Sequence, residues 1–151
     1  MDARPSERGV ALLLAVGVLV AVGMISLTAL ALARAERVAG LAAVARVQAR
    51  AAAEAALAQA MQGWPSGSTP AAPGEELVVA RATVPGPAEG QASVRALGGP
   101  VYALLGAGTR LSAAGEPLGS VRLELLVLLE GPDSTGRARP RRYPRGWRVL
   151  P

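Results

Sequence analysis

An uncharged apolar stretch near the N-terminus most constrains what this chain can fold into. Residues 10–33 contain no charged side chain, and Arg8 and Gly9 stand directly before them. About 20 apolar residues in a helix are enough to cross a hydrocarbon core of roughly 30 Å. The sequence therefore predicts a membrane-spanning helix over residues 10–33, preceded by a short polar segment, residues 1–9.

The helical pattern continues past the apolar stretch, where it becomes amphipathic. At about 100° per residue, charged side chains fall on one side of the helix and an Ala-rich stripe falls on the other. The charged side contains Glu36, Arg46, Arg50 and Glu54, and the stripe contains Val38, Leu41, Ala45, Ala52 and Ala56. Gly63 and Pro65 are typical of a helix end. We therefore expect an amphipathic helical extension, residues 34–63, that lies against a sheet or another helix.

The C-terminal half of the sequence predicts a small β-rich domain. Residues 64–74 are rich in Pro, Gly and Ser, which is typical of a linker. In residues 75–151, Gly and Pro turns separate short apolar runs that favour strands. The strand candidates are residues 76–84, 91–97, 101–111 and 119–130, followed by a loop at 131–142 and a final edge strand at 147–150.

These elements together predict the fold class. A meander of about four strands that is apolar on one face needs a cover, and the amphipathic part of the helix is the expected cover. The predicted class is α+β: a long N-terminal helix, membrane-spanning in its first half and amphipathic in its second, packed on a small antiparallel β-sheet.

The composition argues against catalysis. The chain has no Cys and no His, so it lacks disulfides, the commonest metal ligands and the commonest general base. Asp2 and Asp133 are the only aspartates, and the glutamates have no spacing typical of a metal site. We therefore expect no enzymatic activity, no catalytic residue, no metal site and no cofactor.

Positive charge is concentrated at the C-terminus. The formal net charge is +5, and no acidic residue follows Asp133. Basic residues interleaved with aromatic rings are typical of surfaces that bind single-stranded nucleic acid. The candidate contact residues are Arg137, Arg139, Arg141, Arg142, Tyr143, Arg145, Trp147 and Arg148. Pro140 and Pro144 favour the other interpretation, a solvated loop or a contact with a neighbouring subunit, and we place nucleic acid second.

The residues around the start of the apolar stretch resemble a known signal. The sequence Glu7-Arg8-Gly9-Val10-Ala11-Leu12-Leu13-Leu14 is similar to the class III signal that prepilin peptidase recognises. With the long helix behind it, the chain resembles type IV pilin-like proteins, in particular PilX-type minor pilins and the K-type pseudopilins of type II secretion. The resemblance implies cleavage between Gly9 and Val10 on the cytoplasmic side of the membrane, followed by N-methylation of Val10.

One position departs from the pattern of most pilins. Their fifth mature residue is Glu, thought to pair with the N-terminus of a neighbouring subunit, whereas this chain has Leu14 there. A carboxylate within a membrane is costly and is normally kept only for a partner. The resemblance therefore implies a subunit that initiates or caps a filament. The chain is too short for the large inserted domain of the K-type, which favours the PilX-like branch.

The resemblance also implies location and partners. We expect a single-pass protein of the bacterial inner membrane, with its N-terminus cytoplasmic and its C-terminal domain on the periplasmic or extracellular side. The expected partners are the inner membrane, prepilin peptidase and other pilin or pseudopilin subunits in a type IV pilus-like or type II secretion filament. Leu14 and the small residues Gly17, Ala21 and Gly23 would lie against neighbouring helices, because small residues permit close approach in lipid.

Two other interpretations of the N-terminal region remain open. An ordinary secretory signal peptide would be cleaved near Ala31 or Ala33, although the apolar stretch exceeds the usual 7–15 residues. A plain single-pass anchor would not be cleaved at all. A third alternative concerns the C-terminal arginines, which would make the chain a membrane-anchored module that binds DNA or another ligand.

Overall fold

The computed structural model describes residues 5–64, 70, 72–132 and 138–150. One helix precedes a run of strands. The elements are α1 Pro5–Gly63, β1 Glu76–Val84, β2 Ala88–Gly98, β3 Val101–Leu111, β4 Pro117–Pro132 and β5 Ala138–Leu150. The predicted α+β class, with a long N-terminal helix packed on an antiparallel sheet, is confirmed. Contacts divide the chain into two compact units with the boundary between Leu41 and Ala42, so α1 contributes to both.

The sheet is a five-stranded antiparallel meander in which each strand pairs with the next one along the chain. The turn between β2 and β3 is tight, and Gly98 and Gly99 there adopt positive φ angles of 119° and 57°. Glycine adopts such angles without the steric cost that a Cβ imposes. Simple hairpin connections therefore order the strands, and β1 and β5 lie at the two ends of the sheet.

All five predicted strands are confirmed, including the edge strand at 147–150, which lies within β5. The predicted loop at 131–142 is wrong outside residues 133–137, which are not among the described residues. The bounds of β1 and β3 agree with the sequence pattern, whereas β2 and β4 extend beyond it. The expected loop at 131–142 is replaced from Ala138 onward by strand β5, which is 13 residues long. The sequence favoured a loop because of Pro140 and Pro144. A proline is tolerated in an edge strand, where its missing N–H need not bond a neighbouring strand.

A bulge interrupts the pairing of β5 with β4. Trp147 pairs with Leu125 and Arg142 pairs with Val127, so residues 143–146 lie opposite Leu126 alone. Gly146 fits here because a Cβ at that position would lie 2.9 Å from the Cβ of Leu126. Pro144 thus lies within the bulge, where it need not pair with β4, and the residues on both sides of the bulge keep their register with β4.

Within the unit that begins at Ala42, α1 packs on the sheet through small residues. Six alanines on one side of the helix are buried: Ala45, Ala49, Ala52, Ala53, Ala56 and Ala60. On the sheet they meet glycines. A Cβ on Gly108 would overlap the backbone carbonyl oxygen of Ala49, and one on Gly106 would lie 2.6 Å from Leu57 Cγ. The helix backbone therefore lies almost directly on the sheet backbone.

The predicted Ala-rich stripe is confirmed for its second half only. Ala45, Ala52 and Ala56 are buried, but Val38 and Leu41 are 67% and 63% exposed. Both exposed residues belong to the first compact unit, which ends at Leu41, whereas the sheet belongs to the second. The alanines that pack within the second unit therefore form only part of the predicted stripe.

Larger side chains complete the core next to this contact. Leu57 and Trp64 from the helix end join apolar residues of the sheet, and the Trp64 ring packs edge-on against Tyr102 with centroids 5.1 Å apart. The buried members from the strands are Ala92, Val94, Leu104, Leu123, Leu125 and Val127. Trp64 and Pro70, both within the predicted linker 64–74, are buried, while residues 65–69 and 71 lie outside the described residues.

Replacing Gly108 by Ala should destabilise the second unit by about 3 kcal/mol, because the new methyl group would collide with the helix backbone. Gly131→Ala is the matched control, since a Cβ on this β4 glycine meets nothing within 4 Å. Chemical unfolding of the full chain in neutral detergent measures both changes. Equal stabilities of the two variants would show that the helix and sheet are not in close contact.

Candidate functional sites: the apolar part of the helix and strand β5

The first part of α1 presents a continuous apolar surface. Its large side chains are at least half exposed in this chain, for example Leu13 at 74% and Leu19 at 71%. By length and composition, this helix could cross a membrane. Exposed apolar surface of this extent marks a region that is covered by lipid or by another protein.

The polar groups within this apolar region are satisfied locally. The Ser26 hydroxyl donates to the Val22 carbonyl at 2.9 Å, and the Thr28 hydroxyl donates to the Ile25 carbonyl at 2.8 Å. In a hydrocarbon environment no water can take over such bonds, so each polar group needs a partner within the protein. Neither hydroxyl therefore opposes transfer of this helix into lipid.

A shallow groove runs along one side of the apolar region. It is lined by Val10, Leu13, Leu14, Gly17, Val18 and Ala21. Gly17 faces open space, since a Cβ there would meet no other atom within 4 Å. Three predicted contact residues, Leu14, Gly17 and Ala21, thus share one surface. Gly23 does not line the groove, since six residues beyond Gly17 it is rotated by about 240° around the helix axis.

The predicted processing residues lie at the beginning of the apolar stretch. Gly9 and Val10 are both helical and exposed. In the described part of the chain, no three His, Cys, Asp or Glu side chains are grouped in a way that could hold a metal ion.

Strand β5 separates the predicted arginine cluster onto two sides of the sheet. Arg142 and Trp147 pair with Val127 and Leu125, whose side chains are buried on the α1 side. The opposite side, which we call the open face, carries Arg139, Arg141 and Arg148. Arg137 lies outside the described residues, and only the backbone of Arg145 is described.

Tyr143 lies on the open face with these arginines. A Cβ on Gly146 would lie 2.9 Å from Leu126 Cβ and 3.2 Å from Tyr143 Cβ, which places Tyr143 beside Leu126. Leu126 points to the open face because its neighbours Leu125 and Val127 point into the core. The Tyr143 side chain is 54% exposed.

Two of the β5 arginines form ion pairs with acidic residues of β4. Arg141 Nη1 lies 3.0 Å from Glu130 Oε1, and both side chains are well exposed. Arg148 Nε donates to the Glu124 carboxylate, whose side chain is only 10% exposed. A carboxylate with so little access to water depends on its cation, whereas an exposed pair contributes little. Arg148 therefore has a structural role that Arg141 lacks.

The sequence did not identify Glu124 and Glu130 as partners of the arginines. Both glutamates occupy the polar positions of the alternating β4 pattern, so their orientation toward the open face followed from the sequence. Their pairing depends on the register of β5 against β4, which includes the bulge at 143–146. When a bulge shifts the register between two strands, the local sequence does not predict which residues pair.

A second polar cluster lies near the other end of the open face. The Glu76 carboxylate accepts hydrogen bonds from Ser93 Oγ at 2.5 Å and from Arg95 Nη2 at 2.6 Å. The Ser93 hydroxyl and the Arg95 guanidinium lower the pKa of Glu76 below its ordinary value of 4.5. Both bonds favour the ionised form of Glu76, and they connect β1 to β2 where the sheet begins.

Comparison of this chain with protein-family models, with curated proteins and with solved structures finds no match.

Replacing Arg148 by Gln should destabilise the second unit by about 2 kcal/mol, because the Glu124 carboxylate loses its cation while it remains poorly accessible to water. Arg141→Gln is the matched control and should cost about 0.5 kcal/mol. The double variant Glu124→Gln/Arg148→Gln should regain most of the lost stability. Chemical unfolding of the three variants checks this, and an equal cost for the two arginines would contradict it.

The Glu76 cluster predicts a pH dependence of stability. Since its pKa is lowered on folding, Glu76 contributes stability above the pKa of the unfolded chain, and this contribution is lost as the pH falls through the lower folded pKa. The stability advantage of the native chain over Glu76→Gln should therefore shrink from near neutral pH to below pH 4.5. Unfolding at several pH values measures it, with Glu116→Gln as the control. An advantage that stayed constant over this range would contradict the assignment.

Proposed function

We propose that this protein is a non-enzymatic minor pilin or pseudopilin that initiates or caps a type IV pilus-like or type II secretion filament. One observation carries the proposal: the signal-like sequence ending at Gly9 stands directly before a helix whose apolar side chains are exposed along its first part. A cleaved leader, a spanning helix and a β-domain packed on the helix extension are the parts that such a subunit needs.

The proposed topology follows from the proposed processing. The peptidase acts on the cytoplasmic side, so Gly9 would be cytoplasmic and the β-domain would be periplasmic or extracellular. Arg4 and Arg8 on one side of the apolar stretch and Arg34 and Arg37 on the other are balanced, so the charge rule alone favours neither orientation. The topology therefore depends on the resemblance of the signal.

Filament assembly would exchange lipid for neighbouring helices around the first part of α1. Lipid tails are as apolar as the helix surface, so close packing must supply most of the association energy. The groove lined by Leu14, Gly17 and Ala21 supports this role, because a ridge on a neighbouring helix can enter it. Leu14 stands where most pilins have a carboxylate. This supports a place in the filament where the subunit makes no ionic contact with a neighbour at the depth of residue 14 in the membrane.

The mass of the native N-terminus tests the proposal. A mature chain that begins with methylated Val10 supports a pilin-like subunit. A chain that begins near Arg34 would show an ordinary secretory signal peptide, and an uncleaved chain would show a plain anchor. Either of these two results would overturn the proposal.

Gly9→Val should block processing, because the larger side chain would occupy the position next to the cleaved bond. The variant should accumulate in the inner membrane with its leader attached and should be missing from sheared filaments. Gly23→Val is the matched control, since it makes the same change deeper in the same helix, and it should be cleaved normally. Intact mass of the two membrane-extracted proteins measures the difference. A cleaved Gly9→Val protein would contradict the proposed site.

A further inference from the structure

Strand β5 carries a charged surface that the proposed assembly function does not use. We propose that the open face along β4 and β5 binds single-stranded nucleic acid. The contact surface, which we call the basic strip, consists of Arg122, Arg139, Arg141 and Tyr143, with Arg148 between them. This inference goes beyond filament assembly and does not depend on how the N-terminus is processed.

The register places the members of the basic strip in one line. Arg139 pairs with Glu130, Arg141 with Leu128 and Arg122 with Leu150, so all three arginines lie on the open face. Eight residues of β4 separate the Arg139 level from the Arg122 level, a length of about 27 Å at a rise of roughly 3.4 Å per residue. A line of this length can follow the backbone of a strand over several phosphates.

The arginines of the strip are available to a ligand to different degrees. Arg122, Arg139 and Arg141 are exposed, and Arg139, like Arg141, also has an interaction within the protein. The ion pair of Arg141 with Glu130 is an exposed one that a phosphate can replace at little cost. Arg148 must stay with the poorly accessible Glu124 carboxylate. It therefore keeps the surface near Glu124 neutral without supplying charge to the ligand.

The position of Tyr143 favours a nucleic acid over other polyanions. Its ring is 54% exposed and lies between Arg141 and Arg148 along β5. Every base has a flat face that can stack on an aromatic ring, and each such contact contributes substantially to the binding of single strands. An acidic polysaccharide offers the charges but no aromatic faces, and the paired bases of a duplex are already stacked on one another.

Binding of an oligothymidine of about 20 nucleotides to the full chain in neutral detergent tests the inference. The native chain should bind with an affinity that falls steeply with salt, and Arg122→Gln/Arg139→Gln/Arg141→Gln should reduce the log–log salt slope by about two, near 0.7 for each lost phosphate contact. Tyr143→Leu should weaken binding roughly tenfold, and Tyr143→Phe should bind as the native chain does.

Matched controls distinguish binding at the basic strip from nonspecific electrostatic attraction to a basic protein. Arg46→Gln/Arg50→Gln/Arg81→Gln removes the same charge from exposed positions away from β5 and should leave the salt slope unchanged. A duplex of equal length and a polymer of uronic acids should bind more weakly than the oligothymidine, and Tyr143→Leu should not affect them. Three results would each overturn the inference: an equal reduction of the salt slope in the two triple variants, equal affinity for the three polymers, or an unchanged affinity of Tyr143→Leu for the oligothymidine.

Discussion

The close contact between the alanine side of α1 and the glycines of the sheet is the interaction on which the second unit depends. Neither surface has much apolar area per residue, so burial of large side chains cannot supply all of the stability. The small residues allow a short distance between the backbones. The helix carbonyl groups of Ala49 and Ala52 lie against Gly108 of β3 and Gly90 of β2, with little side-chain material between them. Dispersion forces fall off steeply with distance, and many short contacts compensate for the few large groups. Leu57, Trp64 and Tyr102 add conventional apolar packing at the end of the helix, where the two backbones no longer need to touch.

This way of packing lets one helix contact a sheet in its second part and be apolar enough for a membrane in its first. In its second part, α1 contacts the sheet mainly through alanine side chains. Leucine and valine are concentrated in the first part of α1, where they are exposed and make the helix apolar enough for a membrane. A helix that packed on its sheet through large apolar side chains would need such side chains in its second part as well as in its first. Alanine is also the best helix former, which helps a single helix to continue without interruption from Pro5 to Gly63.

Much of this fold could be predicted from the sequence, and the reasons for the exceptions are physical. The strands β1 and β3 followed from apolar runs between Gly and Pro turns, and the helix followed from its periodicity and its end at Gly63. The length of β5 did not, because Pro140 and Pro144 locally oppose a strand that only pairing with β4 stabilises. The roles of Gly106 and Gly108 were also not predictable. A glycine within a strand indicates that another part of the chain approaches closely, but it does not identify that part. For the candidate sites, the sequence located the apolar region and the arginines. The division of the arginines between two faces required the register.

The prolines and the bulge of β5 have a consequence for how copies of this chain can be stacked. An edge strand normally offers a row of N–H and C=O groups to which a foreign strand can add, and open-ended growth of a common sheet is the hazard. Pro140 and Pro144 have no backbone N–H to donate, and the bulge between Arg142 and Trp147 interrupts the regular strand. The β5 edge of the sheet is therefore a poor template for uncontrolled, amyloid-like addition of a strand. In the proposed filament, the contacts between copies would therefore lie on other surfaces, where side-chain geometry rather than backbone pairing would set the spacing of the copies.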